Sequence, residues 1–297
     1  SFDPRHGGLS RAPKFPSHIP VRLLLRYHQR TGDADALRMA TLTLEKMAAG
    51  GLYDQLGGGF HRYSTDVRWL VPHFEKMLYD NALLVVAYAE AFQVTGRTDF
   101  ARVARETCDY ILREMTDAGG GFYSATDADS EGEEGRFFVW REDEIRRELD
   151  ALGDGDTTER FLAHYDVHPG GNWEGHTILN VPHPDEAAWE ALAAARARLY
   201  AVRARRTPPL RDEKILAAWN GLMISALAVA GRILDAPHYV AAAVRAADFV
   251  LTRLRGADGG LRRSFKDGQA RQAAFLDDHA FLAAGLIDLY EATFDVR

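Results

Sequence analysis

Ala218-Trp219-Asn220-Gly221-Leu222-Met223-Ile224-Ser225-Ala226-Leu227 places an aromatic, an amide and a glycine at the head of a long apolar run. Apolar residues recur at helical spacing from Leu216 to Leu234, so the run reads as a buried helix. Asn220, Gly221, Ser225 and Arg232 would be costly in hydrocarbon, which argues against a membrane span. Two other stretches open in the same way: Asp80-Asn81-Ala82-Leu83-Leu84 and Asp278-His279-Ala280-Phe281-Leu282. Each sets polar residues one turn inside a helix, then a small residue, then apolar ones. Gly-Gly followed by an apolar or aromatic residue recurs as well, at Gly50-Gly51-Leu52, Gly120-Gly121-Phe122 and Gly259-Gly260-Leu261. This weak internal repeat predicts an inner ring of helices, with small residues permitting close approach and polar first turns facing a central mouth. Capping and dipole complementation by Asp and Asn account for part of the pattern. They do not account for Trp219 or His279.

Working outward, the spacing predicts helices over residues 17–31, 33–49, 75–95, 98–116, 185–206, 214–234, 237–255 and 276–294. Glu142–Leu149 and Thr158–Tyr165 read as one further, broken helical element. Brief β pairing is expected between Gly121–Ser124 and Arg136–Trp140, and at Thr177–Val181. The connections alternate between tight turns, at Thr31-Gly32-Asp33, Thr95–Asp99 and Leu234–Pro237, and long loops at 50–74, 117–141, 166–185 and 256–275. Helices paired as hairpins put the tight turns at one end and gather the long loops at the other, where binding and catalysis reside. The fold class expected is therefore all-α: an (α/α)6 toroid of helical hairpins with short β-hairpins in its long loops, in one domain over 1–297. Residues 1–16, rich in Gly and Pro, read as an irregular lead-in, and both chain edges read as those of a fragment.

The chain has 297 residues, of which 46% are hydrophobic, enough for a sizeable core. A net charge of -7 speaks against nucleic-acid or anionic-membrane partners, which call for concentrated Lys and Arg. One cysteine, Cys108, rules out an internal disulfide framework, a Cys-x-x-Cys redox pair and a cysteine-rich zinc site. A cytoplasmic setting is the default. The basic run Arg196, Arg198, Arg203, Arg205 and Arg206 reads as a solvated helix end with no partner.

Longer motifs then become recognisable. Gly50–Tyr63 (GGLYDQLGGGFHRY) and Val71–Ala82 (VPHFEKMLYDNA) resemble the spermatogenesis-associated, thioredoxin-domain-containing protein family. So do Arg11–Pro16 (RAPKFP), Gly171–Gly175 (GNWEG), Asp212–Leu216 (DEKIL), Ala218–Gly221 (AWNG) and Asp277–Phe281 (DDHAF). The resemblance implies an amino-terminal thioredoxin-like domain followed by a six-hairpin toroid related to the N-acylglucosamine 2-epimerase and six-hairpin glycosidase superfamily. Against that plan, these residues are expected to lack the thioredoxin-like part and to carry about nine of the twelve helices of a closed ring. An incomplete ring exposes apolar faces at its open edge, which predicts a homodimer through that edge or rearranged terminal helices. Gly59-Phe60 and Lys76–Tyr79 are similar to a stretch of the sugar-epimerase group, whose paired catalytic histidines have no residue-by-residue match here.

His61–Asn81 concentrates ionisable groups among aromatic rings, the composition that acid–base chemistry on a hydroxylated ligand requires. The expected catalytic set is His73, Glu75, Asp80, Asp212, Asp278 and His279. The expected substrate-binding set is His61, Arg62, Tyr63, Lys76, Asn81, Asp127, Trp173, Glu174, Lys214, Trp219, Asn220 and Asp277. Glu75 with Tyr79, and Lys76 with Asp80, share a helix face if the helix has begun there; the alternative is a capping and salt-bridge network that fixes the loop. Asp127, Asp129, Glu131, Glu133 and Glu134 begin like a calcium loop, but position twelve would be Phe138, so a solvated hairpin is expected. No metal and no other cofactor are expected. The ligand expected is a sugar-like small molecule, handled by an epimerase, isomerase or glycosidase, with a non-catalytic ligand- or client-binding module as the alternative.

Overall fold

Eleven helices form among the described residues, which in this computed structural model are 1–16, 20–153 and 155–296. They are α1 (Val21–Thr31), α2 (Ala34–Ala49), α3 (Leu78–Thr95), α4 (Thr98–Glu114), α5 (Glu142–Asp150), α6 (Gly155–His164), α7 (Glu186–Ala191), α8 (Ala193–Arg203), α9 (Ala217–Ile233), α10 (Pro237–Arg253) and α11 (Leu276–Thr293). Short strands lie between them: β1 (Tyr63–Ser64), β2 (Pro72–His73), β3 (Lys76–Met77), β4 (Ala125–Thr126), β5 (Asp129–Ser130), β6 (Glu133–Glu134), β7 (Arg211–Asp212), β8 (Ile215–Leu216), β9 (Arg262–Lys266) and β10 (Gln269–Ala273). The predicted start of the first helix falls partly on residues 17–19, outside the described residues. No helix among the described residues is long and apolar enough to cross a membrane.

The chain divides into two compact units. The first comprises Ser1–Leu24, Asp33–Glu75 and Asp127–Leu210. Asp33 starts α2 by accepting the Ala36 N–H at 2.9 Å, as an N-cap should. Its main core joins α5, α6 and α8 through Trp140, Ile145, Leu149, Phe161, Tyr165, Leu179 and Leu199. A smaller core of Phe74, Ala128, Val139 and Ile178 lies beneath the loops. Buried within this unit, Arg203 grips Asp54 through two hydrogen bonds of 2.7 and 2.8 Å, both side chains 4% exposed. The bidentate fork satisfies a charge pair that would otherwise be costly to bury.

The second unit comprises Leu25–Gly32, Lys76–Thr126 and Arg211–Arg297. Here α9 packs against α3, α10 and α11. The small-residue argument holds at Gly221, where a Cβ would come within 2.5 Å of the Leu282 nitrogen, so only glycine lets α9 and α11 approach this closely. The Gly-Gly repeat is also a geometric one. After α4, Asp117 N–H bonds Gly121 O and Tyr123 N–H bonds Met115 O; after α10, Gly256 N–H bonds Gly260 O and Arg262 N–H bonds Leu254 O.

Several boundaries differ from expectation. The helix expected from residue 75 begins at Leu78, because Lys76 and Met77 pair with Thr126 and Ala125 as a strand. Glu75 and Tyr79, or Lys76 and Asp80, therefore share no helix face. The helix expected over 185–206 breaks at Leu192 into α7 and α8, while α5 and α6 are two separate helices. The expected pairing of Gly121–Ser124 with Arg136–Trp140 does not form: Phe122 bridges Thr116, and Trp140 bridges Thr177. The longest hairpin, β9–β10, turns on Asp267-Gly268, both left-handed at φ 51° and 77°.

Candidate site in the first unit

Three long loops meet in the first unit. Trp140 and Thr177 exchange backbone hydrogen bonds of 3.0 and 2.6 Å, the Phe74 and Trp173 ring centroids lie 5.6 Å apart, and His73 meets Glu134. His73 owes its position to the β1–β2 pair, where it stands opposite Tyr63. The two rings stack at 5.0 Å with 24° between their planes, and Phe15 packs against Tyr63 with ring centroids 4.8 Å apart.

A carboxylate lies at each nitrogen of the His73 ring. Nδ1 is 2.7 Å from Glu134 Oε1 and Nε2 is 3.7 Å from Glu75 Oε2. Glu134 is anchored by the Phe74 N–H at 3.3 Å, and Glu75 by the Arg62 guanidinium at 2.7 Å. All of these groups remain reachable: the His73 side chain is 27% exposed, Glu75 24% and Glu134 44%. One carboxylate can orient the imidazole while the other nitrogen exchanges a proton with a ligand or with the second carboxylate, which is the geometry of general acid–base work.

Glu134 also borders a groove of about 780 Å³, within the size range of small-molecule sites. Trp173 and Phe137 supply aromatic surface, and Glu174, His176, Arg205 and Arg206 supply polar groups. Trp173 sits on a turn closed by reciprocal backbone bonds with His176. Gly171 makes the turn possible: it is left-handed, φ 67°, and a Cβ there would lie 2.1 Å from the His176 carbonyl oxygen. Arg206 is fixed by the carbonyls of Phe137 and Val139 and by Glu144, each at 2.8 Å, and lies 3.9 Å from the Trp140 ring centroid. Arg136 holds Glu131 and Glu133 at 3.1 and 3.2 Å. Arg141, hydrogen-bonded to Asp143, keeps that carboxyl below the usual carboxylate range.

Of the expected residues, the first unit brings together Arg62, Tyr63, His73 and Glu75, and sets Trp173 and Glu174 in the groove that Glu134 borders. His61 is not a surface ligand. It is 2% exposed, its Nδ1 is 2.9 Å from the Phe74 carbonyl oxygen, and its ring packs edge-on to Phe74 and Phe138. Asp127 is exposed, its carboxylate accepting the Ala128 N–H at 2.7 Å. Glu134, Arg205, Arg206, Glu144 and His176 were outside the expected set. The basic run that reads as a solvated helix end is instead largely engaged, through Arg198 with Glu148, Arg203 with Asp54 and Arg206 with Glu144.

In the second unit, several expected site residues serve the backbone. Asn220, fully buried, accepts the Phe122 N–H at 2.8 Å and donates to Phe122 O and Leu216 O at 3.0 Å, so its amide is committed to structure. Asp278, also fully buried, accepts from Phe275 N–H at 2.9 Å, Ala218 N–H at 3.1 Å and Arg263 at 3.1 Å. It caps α11 and supplies a partner to an orphan donor in the first turn of α9. Asn81 is buried and bonds Met77 O at 2.9 Å, as Asn220 bonds Leu216 O. Asp80 is 1% exposed and Lys76 2%, the ammonium lying 4.2 Å from the Tyr110 ring centroid. Asp212 on β7 pairs with the exposed Lys214 at 3.1 Å. Trp219 packs against Tyr79 with centroids 4.9 Å apart, and Asp277 and His279 are exposed. Burial pushes the Cys108 thiol far up, which leaves it unreactive. Among the described residues, no group of three or more His, Cys, Asp or Glu is placed to hold a metal ion.

No protein-family model matches the chain. Its fold is similar to that of unsaturated glucuronyl hydrolase from Bacillus sp. GL1, with a TM-score of 0.55 and 12% identity, covering 95% of this chain and 56% of that one. A family 76 glycoside hydrolase from a bovine Bacteroides thetaiotaomicron strain gives a TM-score of 0.54 at 12% identity, over 93% of this chain and 42% of that one. These likenesses show the fold: the α/α-toroid class expected from the helical hairpins. In sequence the chain is 37% identical to human spermatogenesis-associated protein 20 over 98% of its own length, and it spans 43% of that relative. With the long motifs and the fold in agreement, the chain is a homologue of spermatogenesis-associated protein 20 over the 43% of that relative that it spans.

Proposed function

We propose that the groove of the first unit binds a carbohydrate, and that His73, between Glu134 and Glu75, performs general acid–base chemistry at its edge. The reaction is of the sugar epimerase or isomerase kind, or of the glycoside hydrolase kind. The observation that carries this reading is the placement of one partly exposed imidazole between two carboxylates, one of which lines the groove. Trp173 offers the flat face against which a sugar ring stacks, and Glu174 lines the same groove with a hydroxyl-binding carboxylate. The glycoside hydrolases that share the fold support the substrate class by analogy of scaffold.

A calorimetric screen of sugars followed by product analysis tests the proposal. Turnover of a bound sugar is expected, and His73→Ala is expected to lower it by about 10²- to 10⁴-fold with binding largely kept. Glu134→Gln acts in the same direction and less strongly, because it disturbs only the orientation of the ring. Binding with no product in the intact chain would instead identify a non-catalytic ligand-binding module, and turnover unchanged in His73→Ala would remove His73 from the chemistry.

A further inference from the structure

The charged groups around the groove are not equally engaged. Glu131 and Glu133 are held by Arg136, Glu144 by Arg206 and Glu134 by His73, each within 3.2 Å of its partner. Arg141 is bonded to Asp143. Two lining groups are left over. Among the described residues, Arg205 makes its hydrogen bond through its backbone N–H, to Val202 O, and its guanidinium has no ion-pair partner. Glu174, on the Trp173 turn, has a carboxylate without a cation among the described residues.

The sequence Arg203-Ala204-Arg205-Arg206 explains why one guanidinium is spared. Arg203, the last residue of α8, turns inward to Asp54, and Arg206 beyond it turns inward over Trp140, while Arg205 is exposed to the groove. A guanidinium is a planar fork of donors matched to carboxylate or phosphate oxygens. A lone carboxylate beside an indole is matched to the hydroxyl pair of a ring that stacks there.

We infer that the ligand of this groove is an anionic sugar, its ring lying at Trp173 and Glu174 and its carboxylate or phosphate group taken by Arg205. The inference rests on the reading of the groove as a sugar site and narrows the ligand from any sugar to a charged one. It makes Arg205 a specificity determinant, with no part in proton transfer.

Calorimetry on the intact chain with glucose, glucuronate and glucose 6-phosphate tests it, alongside Arg205→Gln and Arg205→Lys, with melting curves as the control for folding. One of the two anionic sugars is expected to bind about tenfold tighter than glucose, the worth of a charge-assisted hydrogen bond. Which one it is separates a carboxylate from a phosphate ligand. Arg205→Gln is expected to abolish that preference while leaving glucose affinity unchanged, and Arg205→Lys to keep part of it. Equal affinity for all three sugars, or a preference that survives Arg205→Gln, overturns the inference and leaves the sugar site standing. Failure of the folded chain to bind any of the three overturns both.

Discussion

His73 and Asp278 make a useful pair, because both carry an ionisable group at the end of a structural element and they are used in opposite ways. In the first unit, His73 is partly exposed and its two ring nitrogens face side-chain carboxylates. In the second, Asp278 is sealed from solvent and accepts hydrogen bonds from two backbone N–H groups and Arg263. Asn220 behaves like Asp278, serving both polar groups of Phe122. A group engaged by the backbone of two elements ties them together and has nothing left for a ligand, whereas one engaged by partly exposed side chains can exchange partners. The difference separates a polar residue that stabilises from one able to react.

Mutation of the buried members should expose that difference as stability. Asp278→Ala leaves the Ala218 N–H without its acceptor, removes the cap of α11 and strips Arg263 of a partner, at an expected cost of about 4 kcal/mol. Chemical denaturation measures it, and a loss under about 1 kcal/mol would mean that water replaces the carboxylate and that the cap is not buried in solution. Asn220→Ala should follow at about 3 kcal/mol, since two buried backbone groups of Phe122 lose their partners while Leu216 O keeps its place in the helix ladder. Equal stability of the Asn220→Ala chain would break the assignment of Asn220 to structure.

How much of this was legible in the residues depends on how local each cause is. Helices α2, α4, α10 and α11 could be placed to within a few residues, because periodicity, the Asp33 cap and the turns at Gly32 and Gly96 act within one element. The Gly-Gly repeat was legible for the same reason. The start of α3 was not: Lys76 and Met77 are drawn into a strand by Thr126 and Ala125, partners about fifty residues away that no helical periodicity reveals. The β9–β10 hairpin, by contrast, has a local signal in Asp267-Gly268, a dipeptide suited to a tight turn with both residues left-handed. In the candidate site, His73, Glu75 and Trp173 stood out as residue types in a dense stretch. Glu134 did not, because its partner His73 is 61 positions away, and Arg206 looked like any arginine at a helix end. The polar openings of α9 and α11 were legible as a pattern, while their use was not: capping geometry and burial decide it, and both depend on which helix packs against which.

The smallest effect on stability is expected where the reactive reading is strongest. Glu134→Gln removes a carboxylate from an ion pair whose members are 27% and 44% exposed, and such pairs contribute about 0–1 kcal/mol because water competes for both partners. The amide can still accept the Phe74 N–H, so the loop keeps its anchor. Denaturation of this variant should therefore overlay that of the parent to within about 0.5 kcal/mol, in contrast to the buried pair above. A loss as large as that of Asp278→Ala would mean that the Glu134 carboxylate is held in place by surroundings it cannot leave. His73 and Glu134 would then be doing for the first unit what Asp278 does for the second, and the geometry around the imidazole would be that of a brace for the loop.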